Sequence, residues 1–145
     1  MKLSSKVLVT VAAVLISSVA LAEPPVDIAT TNWSAKITTG NTLQTILPSL
    51  NPPAQSRRSL TMQNNQTSTD NCYVIFGANI ASQITPGTTT LSSSITVNGV
   101  SVTVQQAAIL LTPGLPYQRY YPFVPSDAIY GTCATTGDTL YVDSQ

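Results

Sequence analysis

Beyond residue 22 the chain offers no place for a helix of ordinary length. No stretch longer than about ten residues keeps helical spacing without meeting a glycine or a proline. What recurs instead is a short apolar or alternating run closed by turn residues. The sharpest instance is residues 94–104, where Asn98-Gly99 sits between two alternating arms. Asn-Gly is the preferred two-residue type I′ turn, because both central residues need positive φ. A two-residue loop pairs Val97 with Val100 and Ile95 with Val102. That register places these four on one face and Ser94, Thr96, Ser101 and Thr103 on the other.

Other runs follow the same grammar. Residues 33–39 and 42–47 flank the turn pair Gly40-Asn41, and Leu60 and Met62 alternate with Thr61 and Gln63. Residues 48–58 and 64–71 read as loops. Cys72-Tyr73-Val74-Ile75-Phe76 is continuously apolar up to Gly77, which predicts a central strand buried on both faces. Residues 108–111 close at Pro113-Gly114. Two last strands cover 127–133 and 139–143, with Leu140 and Val142 facing one way and Tyr141 the other. Many short strands at this spacing indicate a sandwich or a barrel. The expected fold is all-β: a single antiparallel β-sandwich, jelly-roll-like, over residues 33–145.

The first 22 residues have a different character. Lys2 and Lys6 precede an apolar run, and Ala20-Leu21-Ala22 presents small residues at the positions a signal peptidase reads. The apolar length, residues 7–22, falls short of the roughly 20 residues a spanning helix needs. Residues 1–22 therefore read as a cleaved signal helix and 23–32 as a flexible entry segment. No stable membrane span is expected after cleavage, and the mature domain is expected in the periplasm or outside the cell. In an oxidising compartment the two cysteines, Cys72 and Cys133, become a structural disulfide. Antiparallel neighbours over 72–76 and 127–133 would bring the start of one strand to the end of the other, a geometry a disulfide accepts. A redox role has less support, for the chain has no C-x-x-C and no base beside either thiol.

Composition narrows the class of work. Charged residues make up 8% of the chain and hydrophobic ones 43%, with zero formal net charge. Nucleic-acid binding needs a basic stripe that is missing here, and disorder needs a less apolar chain. Removing residues 1–22 leaves Lys36, Arg57, Arg58 and Arg119 against Glu23, Asp27, Asp70, Asp127, Asp138 and Asp143, a net charge of −2. Histidine is absent, so the commonest general base and metal ligand is unavailable. Two cysteines are too few for a thiolate zinc site.

Three blocks stand out together: Arg57-Arg58-Ser59-Leu60-Thr61-Met62-Gln63-Asn64-Asn65, Cys72-Tyr73-Val74-Ile75-Phe76-Gly77, and Ile109-Leu110-Leu111-Thr112-Pro113-Gly114. They are followed by Pro125-Ser126-Asp127-Ala128-Ile129-Tyr130 and Asp138-Thr139-Leu140-Tyr141-Val142. In this order they resemble the small β-sandwich virion-associated and decoration proteins of bacteriophages and prophages. The resemblance covers roughly residues 42–143 and implies a non-enzymatic surface, assembly or receptor-contact module. Two features depart from it: the signal peptide with its disulfide, and the Asn98-Gly99 hairpin, which looks like an insertion.

Candidate chemistry is sparse. Asp127 and Asp138 follow turn residues and read as ordinary turn carboxylates rather than a catalytic pair. A Ser–Lys dyad would depend on Lys36 alone, with no strained nucleophile turn. Asp70 and Asn71 beside Asn64 and Asn65 lack a calcium-loop pattern and read as a solvated loop. No cofactor or metal is expected. The best binding candidate is Tyr117-Gln118-Arg119-Tyr120-Tyr121-Pro122-Phe123, which gathers three of the six tyrosines with an arginine between prolines. Aromatic faces with an arginine suit a protein or a glycan surface, or self-association. The competing reading is that these rings plug one end of the sandwich. Strand alternation across 119–121 would expose Arg119 and Tyr121 and bury Tyr120, so Tyr117, Arg119 and Tyr121 are the expected contact residues. The function expected is a non-catalytic exported surface or assembly module. The alternative is a secreted carbohydrate- or protein-binding domain of adhesin type.

Overall fold

A computed structural model of the chain describes residues 31–50 and 57–145, with the backbone alone for 31–33. The signal segment and residues 23–30 lie outside the described residues. The strands are β1 (Thr31–Lys36), β2 (Gln44–Leu47), β3 (Ser59–Asn64), β4 (Cys72–Phe76), β5 (Ser94–Val97), β6 (Val100–Thr103), β7 (Ile109–Leu111), β8 (Pro116–Tyr120), β9 (Ile129–Cys133) and β10 (Thr139–Ser144). Two single-turn helices, α1 (Ala78–Ala81) and α2 (Val104–Ala107), flank the β5–β6 hairpin.

Eight strands form two four-stranded sheets, ordered β1-β10-β3-β8 and β2-β9-β4-β7. Each pairing between neighbouring strands is antiparallel. The chain changes sheet at nearly every connection, so early strands pair with late ones: β1 with β10, β2 with β9, β3 with β8 and β4 with β7. Buried side chains from both sheets join in one core. Leu60, Met62, Leu140 and Val142 come from the first sheet, and Ile46, Val74, Ile129 and Leu111 from the second. Gly131 sits in the middle of β9 and is buried. A Cβ there would lie 2.9 Å from Ile46 Cγ1 on the neighbouring strand and 3.2 Å from Leu140 Cδ1 on the other sheet, so glycine leaves room for both side chains.

Residues 78–108 form a separate layer. Ile84, Leu91, Ile95 and Val104 pack with Ile75 and Leu43 in a second core, against which Tyr73 and Tyr130 also pack. Val74 and Cys72 belong to the first core, while Ile75 and Tyr73 face the second. That is why β4 reads as an unbroken apolar run: both its faces are covered.

The hairpin has the expected register, Val97 opposite Val100 and Ile95 opposite Val102. Asn98 and Gly99 both have positive φ, 51° and 81°. Ile95 is buried and Val97 and Val102 pack against the second core, whereas Val100, at the tip, is exposed. Its far end runs into α2 through a capping box: Thr103 Oγ1 accepts from the Gln106 amide at 3.3 Å and Gln106 Oε1 from the Thr103 amide at 2.9 Å.

The Cys72–Cys133 disulfide is present, with a Cα–Cα separation of 4.0 Å. The two residues are directly opposed in the β4–β9 ladder. Their neighbours Asn71 and Ala134 exchange a backbone hydrogen bond, N–H of Ala134 to C=O of Asn71 at 3.4 Å. The cysteines therefore occupy the non-hydrogen-bonded position, where opposed Cα atoms come closest.

Several boundaries differ from expectation: β1 ends at Lys36 rather than residue 39, β2 begins at Gln44 rather than residue 42, and β9 begins at Ile129 rather than Asp127. β1 starts at Thr31 rather than Trp33, because Thr31 and Asn32 pair with Ser144 and Asp143. The two single-turn helices fall in segments too short to show helical periodicity. Asn64 ends β3 rather than opening a loop, and its side chain is fully buried.

Candidate functional site

The aromatic segment lies on and beside β8, at the margin of the first sheet. Its placement follows from the pairing with β3, in which Leu60 is opposite Arg119 and Met62 opposite Tyr117. Opposed residues share a face, and Leu60 and Met62 point into the core. Tyr117 and Arg119 therefore point inward, and Pro116, Gln118 and Tyr120 point out.

This corrects the expected alternation. Tyr120 is not buried: it is 63% exposed. Arg119 is half-buried rather than exposed. The physical reason is phase. A strand of five residues fixes the period of alternation, but the partner strand fixes which set faces inward. At the rim of the core an inward position can hold a long amphipathic side chain whose polar end still reaches water. Tyr117 and Arg119 do this together. Arg119 Nε donates to the Tyr117 hydroxyl, and the guanidinium carbon lies 5.5 Å from the Tyr117 ring centroid. Both residues are half-buried, and Tyr117 packs against the first core.

Of the three expected contact residues, only Tyr121 stands fully out, at 66% exposure. Its companions are ones the sequence reading did not select: Tyr120, Phe123 at 72% and Leu115 at 65%. Tyr120 also donates from its hydroxyl to Gln118 Oε1 at 3.2 Å, so the two share the outer face. The available signal was Pro116 at the head of the run, since proline within a sheet belongs at an edge.

Several of the remaining polar side chains hold loops. Arg57 is 3% exposed and donates from Nη1 to the carbonyls of Pro125 and Asp127 and from Nη2 to that of Pro48. Burial lowers its pKa, an effect the nearby Asp127 opposes. Asn64 Nδ2 donates to the carbonyls of Asp70 at 2.7 Å and Leu111 at 3.2 Å. Asp138 Oδ2 accepts from Ser68 Oγ at 3.1 Å, and Asp70 Oδ2 accepts from Thr135 Oγ1. Cys72, Cys133 and Asp138 lie close together, but both sulfurs are consumed in the disulfide, leaving no thiolate to ligate a metal.

Among the described residues no helix is long and apolar enough to cross a membrane. Comparison of the chain with known proteins finds no matching family model, no matching curated protein and no matching solved structure.

Proposed function

We propose that this chain is a non-catalytic, exported contact module of jelly-roll type, which works by presenting the margin of β8 to another macromolecular surface. The observation that carries this reading is the run Tyr120, Tyr121 and Phe123 at the end of β8, with Leu115 just before its start, all large side chains left exposed outside both cores. Large exposed apolar patches on a small domain mark interaction sites. The jelly-roll assignment is supported by the nested pairing of early and late strands across two sheets. Export is supported by the disulfide, a cross-link characteristic of oxidising compartments. Kinship with phage sandwich proteins belongs to the same reading. Two residues of its motif blocks, Arg57 and Asn64, are buried loop anchors, consistent with blocks that carry architecture rather than catalysis.

A carbohydrate-binding role is the second reading, favoured by the neighbouring exposed rings of Tyr120 and Tyr121. The test is binding of the mature domain to a glycan panel and to the envelope fraction of the producing cells. The double variant Tyr121→Ala/Phe123→Ala should melt like the parent and lose binding, at roughly 1–2 kcal/mol per contact residue. Unchanged binding by that variant would place contact elsewhere on the surface.

A further inference from the structure

We infer that the β8 edge pairs with the β8 edge of a second copy of this chain, antiparallel about a two-fold axis at Gln118. The inference rests on the contact role proposed for this margin and names its partner.

The argument starts from hydrogen-bond phase. Ser59 exchanges both backbone hydrogen bonds with Gln145, at 3.2 Å each, whereas Arg58 C=O accepts from Tyr121 N–H at 2.8 Å. In an antiparallel ladder these directions alternate residue by residue. Even-numbered residues of β3 therefore serve β8, and within β8 it is Tyr117 and Arg119 that answer them. The backbone groups of Pro116, Gln118 and Tyr120 face the edge, which is open among the described residues.

That open edge is self-complementary. Centred on Gln118, the register sets Gln118 against Gln118 of the second copy, so their N–H and C=O groups satisfy each other twice. Tyr120 falls opposite Pro116 of the second copy. Tyr120 offers only an N–H, because its carbonyl already accepts from Phe123 N–H at 3.0 Å. Proline offers only a carbonyl. The two deficits match, and no open donor or acceptor of the strand is left over. One residue further, Leu115 falls opposite Tyr121 of the second copy, and both are exposed in the single chain.

The other edges of the two sheets carry guards of their own, whereas the guards on β8 are Pro116, whose missing N–H the Gln118-centred register accommodates, and Arg119, whose charge is turned inward against Tyr117. β1 carries Lys36, β7 has three residues, and the start of β2 is met by the layer of residues 78–108, where Leu43 N–H donates to Thr89 C=O at 2.8 Å. β8 has five residues and no lysine. An edge of that kind is a template for pairing.

The experiment is sedimentation equilibrium on the full mature, oxidised domain, with thermal melts alongside. The parent should show a concentration-dependent monomer–dimer equilibrium. Gln118 is exposed, so Gln118→Lys and Gln118→Glu should melt like the parent. Each places like charges directly opposite at the axis and should weaken the dimer roughly fivefold. Mixing the two should restore dimer to the parent level or above, because the axis now sets opposite charges face to face. A parent that stays monomeric at its highest soluble concentration overturns the inference, as does a dimer indifferent to both variants or variants whose mixture gains nothing. Failure here alongside retained, Tyr121-dependent binding to the glycan panel or envelope fraction would leave the contact role standing with a different partner. Failure of both would remove it.

Discussion

At Gly131 the side chain is limited by close neighbours on both sheets rather than by backbone conformation. A valine there must displace Ile46 and Leu140, which are themselves buried in the shared core. Gly131→Val should therefore cost about 1–3 kcal/mol, the usual range for overpacking, read from a denaturation midpoint. Tyr120→Ala belongs at the other end of the scale. Its ring contacts water on the outer face, so its effect should stay within about 0.5 kcal/mol, while Met62→Ala on the neighbouring strand should cost about 2–5 kcal/mol. A Tyr120→Ala loss as large as that of Met62→Ala would contradict the inward placement of Tyr117 and Arg119. Arg57 poses a different problem, since removing its guanidinium strands three loop carbonyls at once. Arg57→Met should destabilise by at least about 2 kcal/mol despite matching the stem in length. The alternation that buries Met62 was legible in the sequence, but the roles of Gly131, Arg57 and Asn64 were not. Arg57 and Asn64 look like polar loop residues until the loops they hold are placed around them.

Elements whose information is local were readable, and those whose information comes from a distant partner were not. In the β5–β6 hairpin, turn chemistry and alternation both lie within ten residues, and they specify the pairing observed. The β4 run announced burial on both faces because a covered strand has no polar positions to alternate. In β8 the same alternation was legible, but its phase depends on β3, more than 50 residues earlier in the chain. The aromatic segment was therefore found as a segment and misread as a set of faces. The hairpin supplies a clean test of local specification. Gly99 has φ of 81°, yet an added Cβ would meet nothing within 4 Å. The cost of Gly99→Val is thus conformational, about 1–2 kcal/mol from the left-handed backbone region. Ser101→Val, at an exposed strand position, should cost less. Equal shifts in melting temperature for the two variants would count against a type I′ turn.

For the whole molecule the dominant fact is that neighbours in space are remote in sequence. β1 pairs with β10, so Thr31 meets Ser144, and the other sheet is built the same way. Such a chain must close long loops before its contacts reward it, which makes loop entropy a large opponent of folding. The disulfide acts on that opponent. It joins residues 61 apart and encloses the layer of residues 78–108 together with β7 and β8. The loop-entropy model assigns roughly 4 kcal/mol to a closure of this size, a large share of the 5–15 kcal/mol typical of a folded domain. Breaking it should leave the β4–β9 ladder intact in the folded state, because the ladder is held by its own hydrogen bonds and by two cores. The loss should instead appear as a lower guanidinium midpoint for the Cys72→Ala/Cys133→Ala variant, with the folded circular-dichroism spectrum retained. Both cysteines are fully buried, so a reductant reaches them only when the sheet opens. Reduction of the parent should accordingly be slow in native buffer and accelerate with sub-denaturing guanidinium. A midpoint shared by the oxidised parent and the double alanine variant would show that the unfolded chain gains nothing when the link is cut. Rapid reduction in native buffer would show that β4 and β9 part more easily than the two cores on either side of them allow.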